Sequence, residues 1–139
     1  FSNTRPLGEV LLDPTRIYVN SCLAAVAAGG VKAMAHITGG GLVENIPRVL
    51  PDGLAAVIDA RSWSLPPVFA WLAASVEPAE LARTFNCGIG MAVVVSAEEA
   101  GALTTILEDA GETVIPMGRI SDSEGPGVVI EGMEDAWRS

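Results

Sequence analysis

Three consecutive glycines, Gly39, Gly40 and Gly41, follow an apolar run that ends in His36-Ile37-Thr38 and precede the short pattern Leu42-Val43-Glu44-Asn45-Ile46-Pro47-Arg48. Glycine has no Cβ to hold an anion away and accepts positive φ, so successive amides can converge on one phosphate. A helix opening at Gly41 or Leu42 would add the positive end of its dipole. The chemistry offered is anion binding by the backbone of Thr38, Gly39, Gly40 and Gly41. A sharp strand-to-helix turn with nothing bound uses the same residues, because a glycine run alone is weakly specific.

The neighbouring polar side chains each carry two readings. His36, the single histidine, could donate to a phosphate or polarise an oxygen, or could anchor the loop through backbone; the sequence leaves both open. Glu44 and Arg48 stand at i,i+4, and an exposed intrahelical pair at that spacing contributes only about 0.3–0.5 kcal/mol. Asn45 and Arg48 are candidates for a cleft, with the Arg48 fork able to grip phosphate oxygens. Asn86 either contacts a ligand or bonds its own turn. No Lys follows the glycines at P-loop spacing, and the third glycine of a dinucleotide fingerprint is missing. With one His and no nucleophile elbow, a Ser-His-Asp set cannot be assembled, so no catalytic residue beyond a candidate His36 is named. Cys22 and Cys87 have neither metal-ligand nor disulfide spacing and read as small buried hydrophobes, and no metal ligands are expected.

The elements that must position these residues follow from periodicity. Val19, Leu23 and Val26 at helical spacing indicate a helix over 16–28, capped by Asp13 or Thr15 and stopped at Gly29-Gly30. Apolar runs at 31–37, 54–58, 87–95, 114–120 and 127–131 read as strands, and the three valines before Ser96 mark a central one. Short helices are expected over 42–49, broken at Pro47, from Pro66 to Leu72, and over 78–83. Ser96 to Glu99 reads as a capping box before a helix that Gly111 ends. Gly88 and Gly90 would weaken a central strand unless something packs close, with the glycine loop or another domain as the expected neighbour. Trp63, Trp71 and Trp137 are too scattered to form a stacking platform. The expected organisation is an extended arm over 1–15, one domain over 16–131, and a patternless tail over 132–139. The expected class is α+β, a mixed, mainly antiparallel sheet layered with helices.

Composition narrows the function classes. A chain of 139 residues can bury about two-thirds of its unfolded surface in one core. Eight Lys and Arg against seventeen Asp and Glu give a net charge of −9, which leaves no broad basic face for nucleic acid. A small phosphate is still admissible, since screening over about 10 Å makes only local charges matter. Apolar runs are broken well short of a membrane span, and two unpaired-looking cysteines suit a reducing cytoplasm. The chain opens at Phe1 and has no methionine before Met34, so it is expected to be a fragment.

The stretch from Ala35 to Pro51, followed by Arg83-Thr84-Phe85-Asn86-Cys87-Gly88-Ile89-Gly90-Met91, resembles the C-terminal half of the phosphoribosylformylglycinamidine cyclo-ligase (aminoimidazole ribonucleotide synthetase) family over about residues 7–131. Leu42 stands where that family often has an aromatic residue. The resemblance implies an ATP-dependent enzyme of purine biosynthesis that closes formylglycinamidine ribonucleotide into aminoimidazole ribonucleotide, releasing ADP and phosphate. It implies ATP and Mg²⁺ held mainly by a preceding N-terminal domain absent from this chain, a homodimer when full length, and an inactive isolated fragment. It places Thr38, Gly39, Gly40 and Gly41 against the ribonucleotide phosphate and His36 at the cleft. Related ATP-dependent enzymes share the architecture, while Glu44-Asn45-Ile46-Pro47-Arg48 points to the cyclo-ligase. A non-catalytic module that binds or senses a phosphorylated metabolite is the alternative.

Overall fold

The computed structural model describes residues 4–125 and 127–138. Seven α-helices and five strands follow in the order α1 (Leu7–Leu11), α2 (Val19–Ala28), β1 (Val31–His36), α3 (Gly41–Asn45), β2 (Leu54–Asp59), α4 (Pro67–Ala73), α5 (Pro78–Thr84), β3 (Met91–Val95), α6 (Ala100–Asp109), β4 (Gly118–Asp122), β5 (Val128–Glu131) and α7 (Met133–Trp137). Short 3-10 turns at Pro47–Val49 and Ala60–Ser62 complete the elements of the described residues. The class is α+β, as the alternation of patterns implies. The strands form two sheets: β1 pairs antiparallel with β3, while β2 lies between antiparallel β4 and parallel β5.

Helix α6 shows how local sequence sets a boundary. Gly111 takes φ 87° and its N–H donates to Glu108 O at 2.9 Å, while Glu112 N–H donates to Leu107 O at 3.0 Å. These are the two bonds of a Schellman ending, which needs a residue at ease in the left-handed region. The reversal delivers the Glu112 carboxylate to Ser21 Oγ at 2.7 Å and to Arg16 at 2.8 Å, joining the end of α6 to the start of α2.

Several expectations are corrected here. Helix α2 starts at Val19, later than the proposed 16, and neither Asp13 nor Thr15 caps it; Asp13 spends both carboxylate oxygens on Arg5. The Val19, Leu23, Val26 stripe faces outward at 58, 61 and 54% exposure, and α2 buries Ser21 and Ala25 instead. The small side of the helix is what packs near α6. Residues read as an extended arm include the one-turn helix α1, and the supposed patternless tail contains α7. Five residues are too few to show a period, yet Trp137 is only 2% exposed and stands edge-on to Trp63 with ring centroids 5.6 Å apart. The capping box is not closed either: Ser96 Oγ donates to Glu99 Oε2 at 2.7 Å, and neither side chain caps a backbone amide. The strand expected over 87–95 is regular only from Met91, because residues before it make a turn.

The core is built where the two sheets and α5 meet, around Ile37, Leu42, Ile58, Leu81 and Trp63. Cys87 belongs to it and is fully buried, whereas Cys22 is half-buried. Burial disfavours the thiolate and pushes the Cys87 thiol up to about 12. Cys22 is therefore expected to react with a thiol reagent at pH 8 while Cys87 reacts only after unfolding. Equal labelling rates for the two in the folded chain would contradict this placement. The sign for pH follows: stabilisation by the neutral buried thiol is complete below its ordinary pKa near 9 and is lost as pH rises toward 12.

Candidate functional site

Strand β1 ends at His36, and Ile37 N–H continues the ladder by donating to Gly90 O at 2.9 Å. The chain then leaves the sheet through Thr38 and Gly39 and turns over Gly40 at φ 94° and Gly41 at φ 56°. Both values require glycine or strain. Gly41 is also fixed by packing: a Cβ there would collide with Ala82 O and Phe85 O at the end of α5. Its place is thus decided by the contact of α3 with α5. At Gly39 a Cβ would meet open space.

The loop amides divide into two groups. Gly41 N–H donates to Thr38 O at 3.0 Å, closing the turn, and so is committed internally. The amides of Thr38, Gly39 and Gly40 donate to no group among the described residues, and all three residues reach solvent. Helix α3 has only five residues, so its dipole adds little at the opening. Of the four residues expected to donate, Thr38, Gly39 and Gly40 keep uncommitted amides and Gly41 does not.

Asn45 lies inside the loop. It is 6% exposed, and its Nδ2 donates to Gly41 O at 2.8 Å and Gly39 O at 3.2 Å, with Thr38 O at 3.4 Å. Three carbonyls are thereby turned inward, which leaves the intervening amides facing out. Its Oδ1 accepts from Arg48 Nη1 at 3.1 Å. Asn45 shapes the loop and holds Arg48, a positioning role that a spacing argument could not separate from ligand contact.

Charge gathers at the same edge. The Glu44 carboxylate lies 3.8 Å from both Arg48 and Arg83, and its Oε2 is 2.7 Å from where a Gly40 Cβ would stand. The expected Glu44–Arg48 pair exists, but Arg83 joins it from the last turn of α5. Arg83 was missed as a site residue although it opens the second motif, since only the docking of α3 on α5 brings it here. An arriving anion would compete with Glu44 for two exposed guanidinium groups.

His36 is exposed and its ring stands edge-on to Tyr18, with centroids 5.9 Å apart and planes 69° apart. Asn86 bonds locally, its Oδ1 accepting from Gly88 N–H at 3.0 Å. The turn it supports carries Cys87 at φ 52°, the one left-handed non-glycine among the described residues. Within this chain the close neighbours of the two glycines are not the glycine loop: Gly88 faces the Pro66 ring, and Gly90 faces the Tyr18 hydroxyl, which would have to move to admit a Cβ. The Trp63 Nε1–H donates to Cys87 O at 3.0 Å and pins this turn to the core. Among the described residues no group of three or more His, Cys, Asp or Glu side chains is arranged to hold a metal ion. No helix among them is long and apolar enough to cross a membrane.

Fold and loop together define an α+β domain with a glycine-rich strand exit flanked by two arginines. The chain belongs to the family described as AIR synthase related protein, C-terminal domain, whose model matches residues 1–131. A phosphoribosylformylglycinamidine cyclo-ligase of Aromatoleum aromaticum is 57% identical over 126 residues, covering 87% of this chain and 36% of the relative. The enzyme of the same name from Neisseria meningitidis serogroup C, serotype 2a, is 52% identical over 127 residues, covering 90% of this chain and 37% of the relative. The chain thus spans little more than a third of the length of these relatives.

Proposed function

We propose that the chain is the C-terminal part of an ATP-dependent cyclo-ligase that converts formylglycinamidine ribonucleotide to aminoimidazole ribonucleotide in purine biosynthesis. The observation that carries this is identity of 52–57% to relatives of that name over nearly the whole chain. In such a reaction ATP phosphorylates the amide oxygen, which is otherwise a poor leaving group. The neighbouring nitrogen then attacks the same carbon, the ring closes, and ADP and phosphate depart.

This chain's share is one wall of the cleft. The Gly39 and Gly40 amides receive the ribonucleotide phosphate, Arg48 and Arg83 swing from Glu44 to its oxygens, and Asn45 keeps the loop carbonyls turned away. His36 stands at the same strand exit. ATP and Mg²⁺ are held mainly by a preceding domain, the full-length enzyme is a cytoplasmic homodimer, and the 139 residues alone are inactive. Ring closure by the isolated chain would overturn that division of labour.

A titration with a ribonucleoside monophosphate, followed by amide chemical shifts, tests the wall directly. Shifts are expected at Gly39, Gly40 and the Arg48 and Arg83 side chains in the millimolar range. No change at millimolar ligand would leave a structural turn only. Shifts in this chain without ring closure in the reconstituted enzyme would favour the second reading, a non-catalytic module for a phosphorylated metabolite.

A further inference from the structure

Among the described residues no strand of one sheet is hydrogen-bonded to a strand of the other, although both sheets contribute to the core. Between them runs a cavity of about 830 Å³, lined by two unbroken stretches of chain, residues 88–97 and residues 112–120. The first contains β3 and the second leads into β4. Among the described residues each of these strands has one hydrogen-bonded partner, β1 for β3 and β2 for β4, so each presents its second edge unpaired by any of them.

Register shows which backbone groups are left. The bond from Ile37 N–H to Gly90 O marks a hydrogen-bonded pair, and with His36 opposite Met91 and Ala35 opposite Ala92 the alternation turns Met91 and Val93 away from β1. The bond from Asp59 N–H to Met117 O, with Ile58 opposite Gly118 and Ala56 opposite Ile120, likewise turns Gly118 and Ile120 away from β2. Ala56 N–H confirms the phase by donating to Gly127 O on the β5 side at 2.9 Å. Two rows of unpaired donors and acceptors therefore border one trough. Unpaired edges of this kind are templates for strand addition.

We infer that this trough takes one extended, predominantly apolar strand supplied by the part of the cyclo-ligase polypeptide that lies outside this chain, merging the two sheets into one in the order β1-β3-insert-β4-β2-β5. It rests on the proposal that the chain is one part of that enzyme. Length supports this source, because the chain corresponds to only 36% of the Aromatoleum aromaticum relative, so most of that polypeptide is available to supply the strand. The trough floor and walls include Ile58, Trp63, Leu103, Leu107 and Met117, with Arg16, Glu112 and Arg119 the charged residues of the lining. A strand there is covered on both faces and should read as a nearly continuous apolar run. Pairing along β3, five residues long, fixes its length at about 16 Å.

The experiment joins this chain to the remainder of the Aromatoleum aromaticum relative, expressed as a separate polypeptide, and follows amide hydrogen exchange. Alone, Met91, Val93, Gly118 and Ile120 are expected to exchange freely while Ala92 and Arg119 are protected. In the complex all four should slow by about 100-fold or more. Val93→Pro removes one outward donor at an edge position where proline is tolerated, and should weaken association while leaving the melting of the chain alone unchanged. Association with the four amides still exchanging freely would overturn the inference, as would no association at all. Protection of the four amides in the chain alone, rising with its concentration, would show a second copy in the trough and would also overturn it. Ring closure separates the two proposals: a closed trough without activity refutes the cyclo-ligase reading, and activity with an open trough refutes strand insertion.

Discussion

Gly41→Ala is expected to destabilise the chain by about 3 kcal/mol or more, while Gly39→Ala two residues earlier changes stability by no more than about 0.5 kcal/mol. The contrast comes from two independent costs at one position. Gly41 sits at φ 56°, where a residue with a Cβ carries roughly 1–2 kcal/mol of strain. The new methyl would also enter the space of Ala82 O and Phe85 O, which are backbone atoms and cannot swing aside. Overpacking of this sort typically costs about 1–3 kcal/mol. At Gly39 a methyl meets nothing within 4 Å and the backbone is not in the left-handed region. Thermal melts of the two variants decide it: a fall of about 10 °C for Gly41→Ala against little change for Gly39→Ala. Equal melting temperatures would mean that α3 does not need its close approach to α5.

That comparison shows what was and was not legible from sequence. Three glycines in a row announce a special backbone, and the strand before them and the helix after them were placed within a residue or two. Their reasons differ, however. Gly39 has open space, Gly40 leans against Glu44, and Gly41 is demanded by carbonyls some forty residues away. Nothing within the loop sequence distinguishes the three, because the constraint on Gly41 is tertiary. Arg83 is the same case: α5 was foreseen, yet only its docking on α3 aims that guanidinium at Glu44. The outward stripe on α2 failed differently, since helical spacing identifies a face without saying which face is covered. Trp137 fits its reading as core or edge packing, but helix α7 and the contact with Trp63 were missed, because five residues are too few for a period and the partner lies far off in the sequence. The Gly111 ending of α6 was read correctly because every group it needs lies within six residues.

Asn45→Ala and Asn45→Asp should separate shaping of the loop from contact with a ligand. Alanine removes the donors that satisfy Gly39 O and Gly41 O, and a buried acceptor left without a partner costs about 1–3 kcal/mol. Aspartate is worse near neutrality, because it places an anion where those carbonyls converge. Its partial relief is Arg48, which already faces the Oδ1 position at 3.1 Å. Burial among carbonyls raises the carboxyl pKa of the variant above the ordinary value of about 3.9. A raised pKa means that stability is greatest below the unfolded value and is lost as pH rises through the folded one. Asn45→Asp should therefore approach Asn45→Ala in stability near pH 4 and fall below it toward pH 7, as read by urea midpoints across that range. Under the proposed function, Asn45→Ala in the full-length protein should raise KM for the ribonucleotide more than KM for ATP, because the Gly39 and Gly40 amides lose their fixed outward direction. Parallel urea midpoints for the two variants at every pH would show that the carboxamide does not face the loop carbonyls, and the outward-facing amides would then have no support.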